Sequence, residues 1–167
     1  MKLTIIFFFL VVVLLLRNNL VVAEPVTNSV ASSADRIMVL KKQVDDAYAA
    51  YTATNDASGK LWETYAHLND TNLPVIFELA KESPESEASF EAFTWIVTNG
   101  RISIHALRTF GDQSLEFLRD YHTTNSDIGK VCRHLGNSWD PMNKTAVEFL
   151  RIASQKNPNR NARGYAT

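Results

Sequence analysis

Cysteine is nearly absent from this chain. Cys132 is the single cysteine among 167 residues, so no intrachain disulfide and no C-x-x-C dithiol motif can form within it. Ile128, Val131 and Leu135 share a helical face with Cys132, and free cysteine is among the most buried residue types. We therefore predict that Cys132 packs in the core and that the fold is held by side-chain packing.

Sequence motifs that indicate an enzyme are lacking as well. The six glycines form no G-x-G phosphate loop, and no G-x-S-x-G elbow supports a nucleophile built from Ser103 and His105. His67, His122 and His134 are scattered along the chain and belong to no compact ligand set such as H-E-x-x-H. We therefore predict no catalytic residue, no metal site and no cofactor. The disfavoured alternatives are a zinc or calcium site, a hydrolase, and another enzyme built on His105 or His122.

An excess of basic residues is missing too. The whole chain carries 17 basic and 18 acidic residues, a formal net charge of −1. Without residues 1–23 the count is 15 basic against 18 acidic, or −3. Because a nucleic-acid partner requires a basic face, none is predicted.

The N-terminus has the layout of a signal peptide. Lys2 precedes an apolar run that reaches Leu16, and Val21 and Ala23 form an A-x-A-like cleavage site. The alternative is a retained membrane anchor, which needs roughly 20 apolar residues, whereas Arg17 interrupts the run. We predict a cleaved signal peptide at 1–23 and export to the periplasm or another extracytoplasmic space.

Residues 24–34 are small and polar and are predicted to be a linker, followed by a helical domain at 35–167. Apolar residues at three- and four-residue steps predict a helix from Asp35 to about residue 55. Further helices are predicted from Leu61 to 69–72, from Pro74, and from the turn after Pro84 to a left-handed cap at Asn99-Gly100. Later helices are predicted from Ser114, from Ser126 with Gly136 as a stop, and from Asp140-Pro141 to Asn157-Pro158. Residues 101–110 fit a strand or a helix, and we predict a helix because a strand would have no partner in this chain.

The three tryptophans and two acceptor-like sequences have ordinary structural explanations. Trp62 and Trp95 are predicted to lie on buried helix stripes, and Trp139 to staple the first turn of a helix rather than contact a ligand. Asn69-Asp70-Thr71 and Asn143-Lys144-Thr145 match the glycosylation acceptor pattern, which we interpret as chance.

The pattern P-x3-A-x3-A occurs twice, each time after a predicted helix. It runs from Pro84 through Ala88 to Ala92, and from Pro158 through Ala162 to Ala166. Proline suits the start of a helix, and alanines one turn apart let that helix lie close to its neighbour. We predict an all-α fold of antiparallel helix pairs, either a solenoid-like array of the HEAT or TPR kind or an irregular helical bundle.

Three segments resemble a known protein family. They are ELAKESPESEASFEAFTWIVTNG, FLRDYHTTNSDIGKVCRHLG and FLRIASQKNPNRNARGYAT. They are similar to the helical N-terminal region of exported bacterial thioredoxin-like proteins of the TlpA or redoxin type, notably those of planctomycetes, and the resemblance covers residues 35–167. It implies that a thioredoxin-fold domain with a W-C-x-x-C site follows such a region, and Cys132 is not that nucleophile.

Two functions follow as expectations. The first is a non-catalytic exported helical-repeat module that positions a protein partner or an adjacent thioredoxin-like domain. The alternative is the N-terminal fragment of a thiol-disulfide oxidoreductase whose catalytic domain lies beyond residue 167, with the helical domain truncated. Contact with a membrane is expected only through a retained N-terminal segment.

Overall fold

The first two helices form a long antiparallel pair. The computed structural model describes residues 31–54, 58–99, 107–138 and 143–166, in which α1 spans Ser33–Ala53 and α2 spans Lys60–Lys81. The Ser32 side chain accepts the backbone N–H of Asp35, and the Asp35 carboxylate accepts that of Ser32, so a capping box starts α1. The helix predicted from Asp35 is confirmed, although it begins at Ser33. Ser32 and the next two residues, which were assigned to the linker, therefore belong to its start.

α2 corrects the prediction of two separate helices in this region. Pro74 lies inside one continuous helix instead of opening a new one. Two of the polar residues interpreted as a stop, Asn69 and Asn72, are buried. Asn72 donates from Nδ2 to Leu40 O (3.4 Å) and to Gln43 Oε1 (3.1 Å) of α1. Proline has no backbone N–H, which weakens a helix. α2 nevertheless continues through Pro74, because it packs along α1 on both sides of that residue.

α3 spans Glu87–Asn99 and returns along α2. Ser89 Oγ lies 2.7 Å from Ala80 O, and the rings of Phe93 and Phe77 meet one turn further on, so the two helices run in opposite directions. The helix break at Pro84 and the antiparallel arrangement of its flanking helices are confirmed. The predicted glycine cap at Gly100 lies outside the described residues.

The second half contains four further α-helices among the described residues. A π-helix at Leu107–Gly111 leads into α4, a 3-10 turn at Ser126–Ile128 leads into α5, and the bounds are α4 Asp112–Tyr121, α5 Gly129–Ser138, α6 Lys144–Lys156 and α7 Arg160–Tyr165. Residues 107–111 are helical as predicted, while 101–106 lie outside the described residues. The helix end at Asn157-Pro158 is also confirmed.

Three predicted helix starts in this half are wrong. Ser114 is buried inside α4 and does not cap it, because the helical conformation already begins at the π-helix. Asn125, not Ser126, caps the 3-10 turn by accepting the Asp127 N–H. Asn143 caps α6 by accepting the Ala146 N–H, so the helix does not start at Asp140-Pro141, which lies outside the described residues.

Gly136 does not stop α5, which continues to Ser138. A Cβ placed on Gly136 would meet only the Tyr165 carbonyl oxygen, at 3.8 Å. Glycine is tolerated within a helix at a cost of roughly 1 kcal/mol relative to alanine. Its presence is therefore not a sufficient stop signal here.

The core is aromatic where α2, α3 and α4 meet. Phe93 and Phe117 stack with centroids 4.9 Å apart and an interplanar angle of 8°. The ring of Phe77 contacts both of these rings and that of Phe110, at 5.3 to 6.0 Å. These four side chains join three helices and the π-helix around one centre.

Three connections between helices lie side by side along one edge. We call them the joints: joint 1 is residues 82–86, joint 2 is residues 122–125 and joint 3 is residues 157–159. His122 donates from Nε2 to Pro84 O (2.7 Å), which links joint 2 to joint 1. Asn157 donates from Nδ2 to Thr123 O (2.6 Å) and Asn125 O (2.8 Å), which links joint 3 to joint 2.

The helices that the joints connect stack in the same order as the joints themselves. α4 packs against α6, and α5 packs against both α3 and α7. Ala162, in the second P-x3-A-x3-A copy, is buried close to Gly129 of α5, where a Cβ would lie 3.4 Å from Ala162 Cα. The described residues therefore form an all-α array of stacked helix pairs, with no β-strand among them.

The chain from Ala31 onward is one compact unit. The predicted signal peptide at 1–23 and residues 24–30 of the predicted linker lie outside the described residues. Among the helices described, none is both long enough and apolar enough to cross a lipid bilayer.

Asn157→Ala tests whether the link between joints 2 and 3 stabilises the array. The change leaves the carbonyls of Thr123 and Asn125 without their donor, and each buried unsatisfied group costs about 1–3 kcal/mol. We expect urea unfolding to show a loss of about 2–4 kcal/mol for Asn157→Ala and within about 0.5 kcal/mol for the exposed Asn161→Ala. Equal midpoints for the two variants would contradict this role.

Candidate interaction surface

Cys132 lies in the core, as predicted. Its side chain is fully buried on α5, in the same apolar cluster as Ile128 and Val131. Burial raises the pKa of the Cys132 thiol to about 11, because the thiolate loses its hydration there, and a backbone hydrogen bond offsets part of the effect. At neutral pH this thiol is protonated and shielded from reagents.

The histidines considered above as possible metal ligands lie on different elements. His67 is exposed on α2, His134 is half-buried on α5, and His122 is buried at joint 2 with its ring 5.3 Å from that of Phe90. His105 and Ser103, the components of the nucleophile hypothesis, lie outside the described residues. Within the described ranges, no three His, Cys, Asp or Glu side chains are grouped to hold a metal ion.

Trp62 differs from its prediction. It was expected on a buried stripe, yet 41% of it is exposed, because α1 ends near its level and the ring lies at the edge of the helix pair. Its ring meets those of Tyr51 (5.3 Å) and Tyr65 (5.6 Å), and Tyr65 meets Tyr48 (5.0 Å). These four rings form an aromatic cluster at one end of the α1–α2 pair.

Trp95 is buried as predicted and makes a polar contact that hydropathy does not show. Its indole Nε1–H donates to Asp45 Oδ1 of α1 at 3.0 Å. Near it, Lys41 Nζ lies 3.7 Å from Glu91 Oε2. Both contacts join α1 to α3. Trp139, the predicted staple, lies outside the described residues.

In the folded protein, the asparagine of one acceptor-like sequence is buried and that of the other is hydrogen-bonded. Asn69 is 1% exposed on α2, so its amide is inaccessible in the folded protein. Asn143 caps α6 through Oδ1 and donates from Nδ2 to Asp112 Oδ1 at 2.8 Å.

A cleft separates α1 from α3 near the N-terminal ends of both helices. Its volume is about 410 Å³, and its lining is mostly apolar. Ile37, Met38 and Ala88 supply apolar surface, and Lys41 and Glu91 contribute charged groups. Ile37 is buried, whereas Met38 is 63% exposed. This cleft is the candidate interaction surface.

Comparison with known proteins finds no match for this chain among family models, curated proteins or solved structures.

The buried state of Cys132 predicts slow thiol chemistry. A pKa raised from 9.0 to about 11 lowers the thiolate population at pH 8 by about 100-fold, and burial adds a steric barrier. We expect dithiobis(nitrobenzoate) to label the folded protein at least about 100 times more slowly than the urea-unfolded protein. Cys132→Ser should give no signal in either state. Equal rates for folded and unfolded chains would contradict the prediction.

Asp45→Ala tests the contact between α1 and α3. It leaves the indole N–H of Trp95 without its acceptor, which costs about 1–2 kcal/mol of unfolding free energy for a bond to a charged group. The adjacent Asp46→Ala is the matched control, because Asp46 makes only an exposed pair with Lys42, worth about 0.5 kcal/mol or less. The tryptophan fluorescence of the chain should change in Asp45→Ala alone, because only Trp95 among the described tryptophans contacts Asp45. Identical unfolding curves for the two variants would count against the contact.

Proposed function

We propose that residues 31–166 act as a non-catalytic helical-repeat module that positions a protein partner or an adjacent thioredoxin-like domain in an exported protein. The supporting observation is the row of joints. Hydrogen bonds from His122 and Asn157 tie each joint to the next, so the helices cannot slide without breaking buried polar contacts. Such an array holds its exposed helix surfaces at fixed spacing, as a positioning module requires.

Several exposed apolar side chains on this array are suited to contact a partner. Met38 lies on α1, Trp62 on α2 and Val147 on α6, with exposed fractions of 63%, 41% and 52%. Aromatic residues and methionine are enriched in protein interfaces relative to the rest of the surface. These three positions sample different parts of the array.

The alternative function is supported by where the family-like segments lie. Each of the three segments that resemble the TlpA or redoxin type contains one joint, namely residues 82–86, 122–125 or 157–159. The resemblance therefore falls on the residues that stack the helix pairs. Under this alternative, the module precedes a thiol-disulfide oxidoreductase domain lying beyond residue 167.

Photo-crosslinking tests the module proposal. A benzoylphenylalanine residue replaces Met38, Trp62 or Val147 in the native host, with exposed Lys130 as a matched control position. We expect at least one of the three to give a discrete adduct, absent at Lys130, whose partner rebinds the purified chain with a micromolar Kd. Absence of a discrete adduct at all three positions would refute the proposal.

The mass and the activity of the native polypeptide distinguish the alternative. A product longer than 167 residues that contains W-C-x-x-C and reduces insulin disulfides would support it. A native chain without that motif, or reduction of insulin by residues 31–166 themselves, would contradict it.

A further inference from the structure

The cleft between α1 and α3 is an open version of a contact that is closed elsewhere in the array. Ala88 and Ala162 hold the same place in the two P-x3-A-x3-A copies. Ala162 is 1% exposed because α7 lies directly against Gly129 of α5. Ala88 is only half-buried and lines the cleft, because α1 stands away from α3 at this level.

The contacts that do join α1 to α3 show where the space remains. The indole of Trp95 reaches Asp45, and Lys41 reaches Glu91. Toward the helix starts, small side chains at Ala34 and Ala88 line the two walls. The apolar part of the cleft therefore lies toward the N-terminal ends of both helices.

Exposed carboxylates lie in this cleft and on the chain next to its lining. Asp35 and Glu91 line it, Glu87 precedes Ala88 at the start of α3, and Glu82 accepts a hydrogen bond from Ser33 at the start of α1. All four residues are exposed. Two lysines also line the cleft. Lys42 pairs with Asp46 at 2.7 Å, and Lys41 Nζ lies 3.7 Å from Glu91, whose side chain stays 64% exposed and can also meet a partner's cation.

The arrangement combines an apolar space with an acidic rim. An occupant that covers it needs aliphatic side chains for Ile37, Met38 and Ala88, and cationic side chains for the rim. An amphipathic helix presents both, since residues at i, i+3 and i+4 share one face and its flanks carry the charges.

We propose that this cleft binds a basic amphipathic helix of a protein partner. Aliphatic side chains of that helix pack on Ile37, Met38 and Ala88, and its lysines or arginines pair with Asp35, Glu87 and Glu91. This inference rests on the module function proposed above, for which it names the class of partner.

Two helical peptides of 18 residues serve as probes. Both carry leucines at i, i+3, i+4 and i+7; one has lysines on both flanks, and the other has glutamates at those positions. In titrations followed by proton–nitrogen NMR, we expect the lysine peptide to shift the amides of Ile37, Met38 and Ala88 and the indole N–H of Trp95. Binding should weaken as salt is raised, because the rim contacts are exposed ion pairs.

Charge reversal tests the rim. The double variant Glu87→Lys with Glu91→Lys should lower the affinity for the lysine peptide by about tenfold, since two exposed ion pairs become repulsive contacts. Glu63→Lys with Glu116→Lys makes the same change of net charge at exposed positions on α2 and α4, and should change the affinity by less than about twofold. Thermal unfolding of both double variants verifies that each is folded.

Three results would overturn the inference: no binding of the lysine peptide, equal affinity for the two peptides, or shifts centred on the aromatic cluster or α6. The crosslinking experiment separates this failure from failure of the module function. Adducts at Trp62 or Val147 without one at Met38 would remove the cleft assignment and leave the module function standing.

Discussion

The stacking of Phe93 on Phe117, with Phe77 against both, is the contact on which the rest of this array depends. A chain with one buried cysteine has no covalent link between its helices, so their relative positions come from packing. Each aromatic pair contributes about 0.5–1.5 kcal/mol beyond the area it buries, and its preferred geometry restricts how the helices approach. Because these rings belong to α2, α3 and α4, one cluster sets the position of three helices.

The polar contacts at the joints act within that constraint. Once the aromatic cluster sets the helix faces, the helix ends come close enough for His122 to reach Pro84. On the other side of joint 2, Asn157 reaches Thr123 and Asn125. Aromatic packing tolerates small displacements, whereas a buried hydrogen bond is lost after a shift of about 1 Å. The rings therefore orient the helices, and the joints determine the register.

Hydrophobic periodicity predicted the existence of most helices because it reports which face of a segment is buried. α1 and α3 follow from it directly, while the break at Pro84 follows from the chemistry of proline. The errors lie where the type of a residue does not reveal its partner. Asn72 suggested a helix end, yet its amide bonds to Gln43, 29 residues earlier in the chain.

Trp62 and the caps of α4 and α6 were mispredicted for a similar reason. Whether a tryptophan is covered depends on where the neighbouring helix ends, and that boundary is not a property of the stripe itself. Several polar residues near a helix start are each acceptable caps, and tertiary contacts choose among them. Asn143 caps α6 and also bonds to Asp112. The cleft could not be predicted because it depends on the spacing between α1 and α3.

Ala88 and Ala162 hold the same place in the repeated pattern but have different surroundings. An alanine one turn into a helix permits close approach but does not bring it about; approach also requires a small surface on the opposing helix. Gly129 of α5 provides that surface for Ala162. Opposite Ala88, α1 presents Ile37, Met38 and Lys41, which line an open cleft and make no comparable close contact. The same sequence pattern thus gives a closed contact against glycine and an open, apolar cleft against larger side chains.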